Sequence, residues 1–420
     1  MHTFALVDCN NFYVSCERAF NPALNSKPVI VLSNNDGCAV ALSNEAKQFV
    51  EMGAPIFQNM DKVKKHRIHL FSSNYTLYAD MSRRVYEVLS DFSPNVENYS
   101  IDESFLSLNG FKNVDLTDYG KQIRAKVLRW TGIPVSVGIA PTKTLCKIAN
   151  KLAKKNKMCQ GVLDLTNHHR IDDFLASVDV GDVWGVGWEY TKLLKKHGIN
   201  TALDLRNAHD GFIRKHMTVE GLRTVWELRG ESCIELEEVV PDKKQIVNSR
   251  AFGKDVGDYK ELSEAIASYA TRAAEKLRAQ NSICSHISVW LQTNGFKPEK
   301  PQYNNMISCR LPEPTAFTPI LITYALYLLK RIYREGYEYK KAGVALMDIV
   351  PANETQLNLF IKFDSSKHES LMRAMDTINS QWGRETLRSG ASGYDRPWRM
   401  KRALLSKRYT TKWGELLPVF

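Results

Sequence analysis

Short apolar runs alternate with amphipathic segments along the first 165 residues, and this alternation limits the possible folds more than any other feature. Buried strands are predicted at Phe4–Val7, Val29–Leu32 and Val135–Ile139. Helices are predicted from Asn10 onward and at Glu45–Met52, Met81–Leu89, Leu116–Trp130 and Thr142–Lys155. Strands that alternate with helices in this way indicate an α/β or α+β domain over residues 1–165.

The remaining chain divides by pattern into further segments. Residues 166–235 contain short helices separated by glycines, and the charged stretch Glu235–Lys244 has the composition of a linker. A second α/β segment follows, with predicted strands at Ile246–Phe252, Ser285–Gln292, Met306–Leu311 and Gly343–Ile349 and helices at Leu262–Ala279 and Ile320–Arg334. After Pro351 the pattern weakens, and Ser365-Ser366 suggests a break. A chain of 420 residues is expected to form two to four domains.

The net charge of +11 favours polyanionic partners, and its distribution is uneven. Residues 1–110 carry a net charge of −3, whereas residues 111–180 carry +6. This suits a protein that holds metal ions early in the chain and grips nucleic acid later, although ordinary surface variation would give a similar pattern. There is no apolar run long enough to span a membrane. Eight cysteines without a C-x-x-C pair predict reduced thiols in a cytoplasmic protein, with no zinc site.

Three acids occupy positions that favour a metal site. Asp8 ends the first strand, and Asp102-Glu103 interrupts an apolar stretch. Adjacent side chains of a regular strand point to opposite faces, so Asp102 and Glu103 can serve one site only at a turn or strand end. Clustered carboxylates suit two Mg²⁺ ions. The alternative is that Asp8 caps a helix and Asp102-Glu103 forms a solvated hairpin tip.

Four lysines form one stripe of the helix predicted at Thr142–Lys155, opposite its apolar face: Lys143, Lys147, Lys151 and Lys154. The stripe is either a solvated basic face or a set of phosphate contacts.

Several motifs together resemble the Y-family DNA polymerases. They are Phe4-Ala-Leu-Val-Asp8-Cys-Asn-Asn-Phe-Tyr13, Ser100-Ile-Asp-Glu103, and Ser136-Val-Gly-Ile-Ala140 with Lys147-Ile-Ala-Asn150. Ser33-Asn-Asn-Asp-Gly-Cys38, Asp182-Val-Trp-Gly-Val-Gly187 and Arg408-Tyr-Thr-Thr411 are similar to motifs of the UmuC-type branch of that family. The resemblance covers nearly the whole chain.

The resemblance implies error-prone translesion synthesis in the DNA damage (SOS) response. It implies that the primer 3′-hydroxyl attacks the α-phosphate of a dNTP by two-metal catalysis. The resemblance also assigns two Mg²⁺ ions to Asp8, Asp102, Glu103 and the backbone carbonyl of Cys9. Tyr13 matches the steric gate that excludes a 2′-hydroxyl, although a core aromatic residue is the alternative. The other implied nucleotide-binding residues are Asn11, Phe12, Lys47 and Lys154. The motif around Lys47 is one residue short, which makes Lys154 the firmer assignment.

The implied architecture is a multidomain α+β right-hand polymerase. Its parts are the palm and fingers (1–165, fingers about 22–75), a helical thumb with a helix-hairpin-helix (166–240), a little finger (241–350) and a C-terminal extension (351–420). Gly185 and Gly187 of the helix-hairpin-helix would let backbone amides approach a DNA phosphate. Arg250 begins a little-finger strand that would follow the primer-template DNA.

The extension carries the implied protein partners. Gln356-Leu357-Asn358-Leu359-Phe360 resembles the peptide that docks on the bacterial β sliding clamp, with a short amphipathic strand as the alternative. The resemblance also implies assembly with a processed UmuD-type dimer and a RecA filament. The end of the chain carries a basic cluster interleaved with aromatic residues: Arg396, Arg399, Lys401, Arg402, Lys407 and Arg408, with Trp398, Tyr409 and Trp413. Two rival functions are a non-catalytic clamp- and DNA-binding regulator of replication and another two-metal enzyme such as a nucleotide cyclase.

Overall fold

A computed structural model describes residues 2–111, 113–239, 241–354 and 365–417 of the chain. These residues fall into two units. The first contains Met1–Ser33, Gly37–Val240 and Leu404–Phe420, and the second contains Asn34–Asp36 and Pro241–Ala403. In the described part of the chain, no helix is both long and apolar enough to cross a membrane.

The first unit is built on a sheet whose middle strand is the N-terminal apolar run. The strands of the first unit, which belong to two sheets, are β1 (Phe4–Cys9), β2 (Val29–Leu32), β3 (Ala39–Leu42), β4 (His69–Ser72), β5 (Val96–Asn98), β6 (Glu103–Ser107), β7 (Val135–Ala140) and β8 (Val162–Asp164). The main sheet has the order β5-β6-β1-β7-β8, and β1 runs antiparallel to both β6 and β7. Apolar side chains on its two faces pack beneath helices, as expected for a strand buried on both sides.

Helices of the first unit pack on both faces of this sheet, apart from α2, whose Val63 belongs to the core of a separate small sheet. They are α1 (Phe12–Phe20), α2 (Met60–Lys65), α3 (Tyr75–Ser90), α4 (Leu116–Thr131), α5 (Lys143–Lys155), α6 (Ile171–Ala176), α7 (Trp188–Lys196), α8 (Ala202–Asn207) and α9 (Asp210–Leu228). Buried apolar residues of α3 and α4 share one core with β1, whereas those of α5 to α9 share another. The mixed α and β composition predicted for this part of the chain is confirmed.

The segment that follows β3 in the small sheet β3-β2-β4 does not form the predicted helix. Glu45–Met52 was expected to be helical, but the structure has only a single 3₁₀ turn there, Ala46–Gln48. The apolar side chains that follow do not continue a helical face, because Val50 packs under the small sheet and Phe49 stacks on His66 at 3.8 Å. Gly53 then reverses the chain with a φ of 82°.

The second unit is an antiparallel sheet covered by two long helices. Its elements are β9 (Ile246–Val256), α10 (Tyr259–Ala279), β10 (Ser282–Thr293), β11 (Asn304–Thr315), α11 (Thr318–Ile332), β12 (Tyr339–Pro351) and α12 (Ser365–Gln381). The strand order is β11-β10-β12-β9. α12 begins at Ser365, where the sequence predicts a break. An ion pair between Arg278 and Asp376 at 2.6 Å ties α12 to α10.

Part of the C-terminal basic cluster is structural. Arg396 is buried beside Glu385, and Trp398 packs edge-on against Phe252 and Tyr269 inside the second unit. These side chains therefore stabilise the fold of the second unit.

Candidate active site

Asp8, Asp102 and Glu103 meet at one end of the main sheet. Asp8 on β1 lies directly opposite Glu103, the first residue of β6, so their side chains project from the same face. Asp102 belongs to the preceding turn, which Ser100 closes by donating to the Asp102 carboxylate at 2.7 Å. The Asp102 carbonyl accepts from the amide of Cys9 at 2.8 Å. Because Asp102 lies in a turn and Glu103 begins a strand, their side chains are not forced to opposite faces of the sheet. This is the placement that the sequence analysis required for a shared site.

Enclosure at the end of the sheet shifts the ionisation of Asp8. Burial raises the pKa of its carboxyl to about 6, and the charges of Glu103 and Asp102 add to that effect. The ammonium of Lys154, 2.5 Å from Asp8 Oδ1, opposes it without cancelling it. Burial therefore affects the ionisation of Asp8 more than the ammonium group in contact with it does.

Helix α5 supplies the lysines because it lies very close to the sheet. A Cβ at Gly138 of β7 would come within 2.3 Å of the Asn150 backbone nitrogen, so only glycine permits this approach. The buried Asn150 side chain donates to the carbonyls of Ser136 at 2.8 Å and Leu6 at 3.3 Å. These contacts fix the helix over β1 and point its polar stripe at the acids.

Lys147 binds the second carboxylate. Its ammonium lies 2.9 Å and 3.0 Å from the two oxygens of Glu103. It also lies over the rings of Tyr99 at 4.4 Å and Trp184 at 5.4 Å. Trp184 belongs to the Asp182–Gly187 motif, and Asp182 itself pairs with Lys151. Sequence reasoning missed this role of Lys147, although its position in the Lys147–Asn150 motif singled it out.

Lys143 fits neither alternative for the lysine stripe, a solvated basic face or a set of phosphate contacts. It is only 1% exposed and forms an ion pair with the buried Glu97. Its ammonium also donates to the carbonyl of Glu235 at 2.6 Å. Lys143 is therefore a core residue, because the start of α5 is enclosed by β5 and by the chain after α9.

Lys47 and Asn11 lie together near Lys154. The Lys47 ammonium donates to Asn11 Oδ1 at 2.8 Å and to Asn44 Oδ1 at 3.3 Å. Burial lowers the pKa of Lys47, and the positive charge of Lys154 lowers it further. The two lysines therefore face a common space, which is suited to a polyphosphate. Asn44 is an additional polar residue of the site that the sequence did not single out.

Tyr13 is half-buried at the start of α1. Its ring stacks on Tyr78 of α3 with centroids 4.5 Å apart, and Tyr75 meets it edge-on at 6.0 Å. Phe12 differs from its neighbour, because its side chain is 3% exposed and belongs to the core. Any contact of Phe12 with a nucleotide would therefore involve its backbone.

The donor set fits hard divalent cations, which prefer carboxylate oxygens. Within the described ranges, no three His, Cys, Asp or Glu side chains form a ready metal cage, since Asp8 and Glu103 face Lys154 and Lys147 instead. Burial holds the pKa of Asp8 above its usual range despite Lys154, so a divalent cation at this carboxylate would stabilise its ionised form. Burial raises the pKa of the Cys9 thiol well above its usual range, which leaves only its backbone as a candidate ligand.

The other predicted site residues are two glycines that precede α7, one arginine of β9 and the predicted clamp peptide. Gly185 has a φ of 89°, and Gly187 precedes α7 with open space where a Cβ would stand. Arg250 is exposed on β9 of the second unit. The predicted clamp peptide, Gln356-Leu357-Asn358-Leu359-Phe360, lies outside the described residues.

Comparison with known proteins agrees with this fold. Residues 7–151 match the impB/mucB/samB family, 243–359 match the C-terminal domain of that family, and 369–419 match a domain of unknown function. The chain is 47% identical to Protein UmuC of Salmonella typhimurium, with 99% of this chain and 100% of the relative covered. It is 46% identical to Protein ImpB of the same organism over 98% of both chains.

Solved structures show a similar fold. A Y-family DNA polymerase chimera of Dbh and Dpo4 aligns with a TM-score of 0.66 at 21% identity, over 83% of this chain and 99% of the other. DinB from Sulfolobus solfataricus aligns with a TM-score of 0.52 at 20% identity over the same shares. The fold is that of a Y-family polymerase. The chain belongs to the impB/mucB/samB family, the UmuC-type branch of these enzymes.

Proposed function

We propose that this polymerase carries out error-prone translesion synthesis in the SOS response, extending a primer on damaged template DNA with dNTPs. The observation that carries the proposal is the convergence of Asp8, Asp102 and Glu103 at the sheet end, beside Lys154 and Lys47. The non-catalytic regulator is not favoured, because the acids are brought together and relatives across the family are polymerases. DNA polymerase IV 1 of Bacillus subtilis, for example, is 24% identical over 92% of both chains.

Each group has a distinct task in this proposal. Asp8, Asp102, Glu103 and the Cys9 carbonyl would hold two Mg²⁺ ions, which supply positive charge for the primer hydroxyl and the pyrophosphate. Lys154 and Lys47 bind the triphosphate and thereby orient its α-phosphate. Asn11 holds the Lys47 ammonium in place. Tyr13 lies against the sugar, where a 2′-hydroxyl would collide with its ring.

The catalytic assignment is tested by Mg²⁺-dependent primer extension across an abasic template. Asp102→Ala is expected to lower the rate by about 10³-fold or more, because loss of a metal ligand removes several kcal/mol of charge stabilisation. Asp118→Ala, an exposed acid on α4, is the matched control and should retain the wild-type rate. Full activity of Asp102→Ala would refute the site, whereas loss in both variants would point to a folding defect.

DNA contacts beyond the catalytic end are also proposed. Gly185 and Gly187 would expose amides to a backbone phosphate, and Arg250 would contact the template strand. The division into palm and fingers, thumb, little finger and extension remains a prediction. We place the enzyme in the cytoplasm.

The protein partners of the extension rest on the family resemblance. A β sliding clamp would bind Gln356–Phe360, and a processed UmuD-type dimer and a RecA filament would assist bypass. Leu359→Ala combined with Phe360→Ala should reduce clamp binding to background in surface plasmon resonance, whereas Glu354→Ala should not. Primer extension with and without each partner measures the other two contributions, and an unchanged rate would remove that partner from the proposal.

A further inference from the structure

The last residues of the chain return to the helices that hold Tyr13. Residues 404–409, here called the C-terminal clasp, begin beside β4, where Ser72 and Leu404 exchange hydrogen bonds of 2.9 and 3.0 Å. Asn74 Nδ2 then donates to the carbonyls of Ser406 at 3.1 Å and Lys407 at 3.3 Å. The clasp is therefore hydrogen-bonded to the residue that precedes α3.

The clasp also contacts α1. Tyr409 stacks on Phe20, at the end of α1, with centroids 4.8 Å apart. The Ser406 hydroxyl donates to Glu17 Oε1 of α1 at 2.9 Å. A single short segment thus joins the helix of Tyr13 to the helix of Tyr78.

Glu17 is the centre of this junction. It is 2% exposed, and its Oε1 also accepts from the Tyr78 hydroxyl at 2.7 Å. A buried carboxylate depends on its hydrogen-bond donors, so both hydroxyls constrain its position. Burial raises the pKa of Glu17, although the two hydroxyl groups oppose that shift. Tyr78 is completely buried, and its ring is the surface on which Tyr13 stacks.

We propose that Glu17, Tyr78 and Ser406 are positioning residues for Tyr13, through which the C-terminal clasp sets how strictly the enzyme excludes ribonucleotides. The chain of contacts runs from Ser406 to Glu17, from Glu17 to Tyr78 and from Tyr78 to the face of Tyr13. A steric gate depends on distance, so a small displacement of the ring changes how strongly a 2′-hydroxyl collides with it. This inference rests on the proposed function of Tyr13.

The test measures kcat/KM for a dNTP and the matching rNTP in Ser406→Ala and Tyr78→Phe. Both variants retain the packing and remove one hydroxyl. We expect the dNTP-to-rNTP ratio to fall about 5-fold in each, which corresponds to one net hydrogen bond. The double variant should lose no more than the larger single loss, because both hydroxyls act through Glu17. Ser370→Ala, an exposed serine of α12, should leave the ratio unchanged.

Tyr13→Ala tests the steric gate separately from the positioning role of Glu17, Tyr78 and Ser406. If it raises rNTP use by at least about 10-fold while Ser406→Ala and Tyr78→Phe keep the wild-type ratio, the positioning role is overturned and the gate stands. If Tyr13→Ala itself leaves the ratio unchanged, the gate assignment fails and the positioning role fails with it. An equal loss in Ser370→Ala would also overturn the role of the clasp, because the effect would then be nonspecific.

Discussion

Lysines at the two ends of α5 form ion pairs that differ in how far they are exposed to solvent. At its start, Lys143 and Glu97 have side chains only 2% and 6% exposed, and the Glu97 carboxylate also accepts from the Glu237 amide at 3.0 Å. Near its end, Lys154 and Asp8 have side chains 34% and 15% exposed. Both are ion pairs, but only the second borders further carboxylates, those of Asp102 and Glu103.

The difference shows that full enclosure makes an ion pair structural, whereas partial enclosure leaves it able to exchange partners. The Lys143–Glu97 pair has its hydrogen-bonding groups met by the chain and has no room for a ligand. The Lys154–Asp8 pair faces Glu103 and Asp102, and the pKa of Asp8 stays near 6. Magnesium at the acids would free Lys154 to bind phosphate.

The largest expected effect is on the enclosed pair. Lys143→Met should lower the free energy of unfolding by about 3–5 kcal/mol, because it leaves Glu97 buried and unpaired. Thermal melting measures this loss, and adding Glu97→Gln should recover part of it. Below its lowered Tm the variant should still extend primers. Normal stability of Lys143→Met would contradict the structural assignment.

The partly open pair should respond in activity instead. Lys154→Ala is expected to lower kcat/KM for dNTPs by about 10- to 100-fold, since a charge-assisted phosphate contact contributes about 1.5–3 kcal/mol. Its Tm should change little. Steady-state kinetics of Lys155→Ala, the exposed neighbour, provide the control and should match wild type. For Lys154→Ala, a large loss of stability with unchanged kinetics would show that the Lys154–Asp8 pair is structural, which would contradict this comparison.

The smallest expected effect concerns Glu17, a buried acid whose described partners are hydroxyl groups rather than a lysine. Burial raises its pKa, so the stability it contributes is present below the unfolded pKa of 4.5 and is lost as pH rises through the folded value. Glu17→Gln still accepts both hydrogen bonds but does not ionise. Its Tm relative to wild type should therefore increase from pH 4 to pH 8. A difference that is constant or shrinks with pH would contradict this assignment.

Local pattern predicted most of the secondary structure around the site. Val29–Leu32 was predicted to the residue, and the helices Leu116–Trp130 and Thr142–Lys155 differ from α4 and α5 by one residue at one end. Glu45–Met52 was an exception, because packing of Val50 beneath the small sheet overrides helix propensity. Another was α3, which begins at Tyr75 and not at the predicted Met81. Partners distant in sequence were beyond local pattern: Ser406 and Glu17 are 389 positions apart.

The amino-acid sequence by itself determined the strands, the main helices, the acids at the strand ends and the family, because these depend on periodicity and on short motifs. Only the tertiary structure decided which lysine of one stripe is buried and which faces the carboxylates. It alone also brought the end of the chain to the helices of Tyr13 and Tyr78. The physical reason is that a side chain's ionisation and partners depend on the groups that packing places around it, and those groups come from distant parts of the chain.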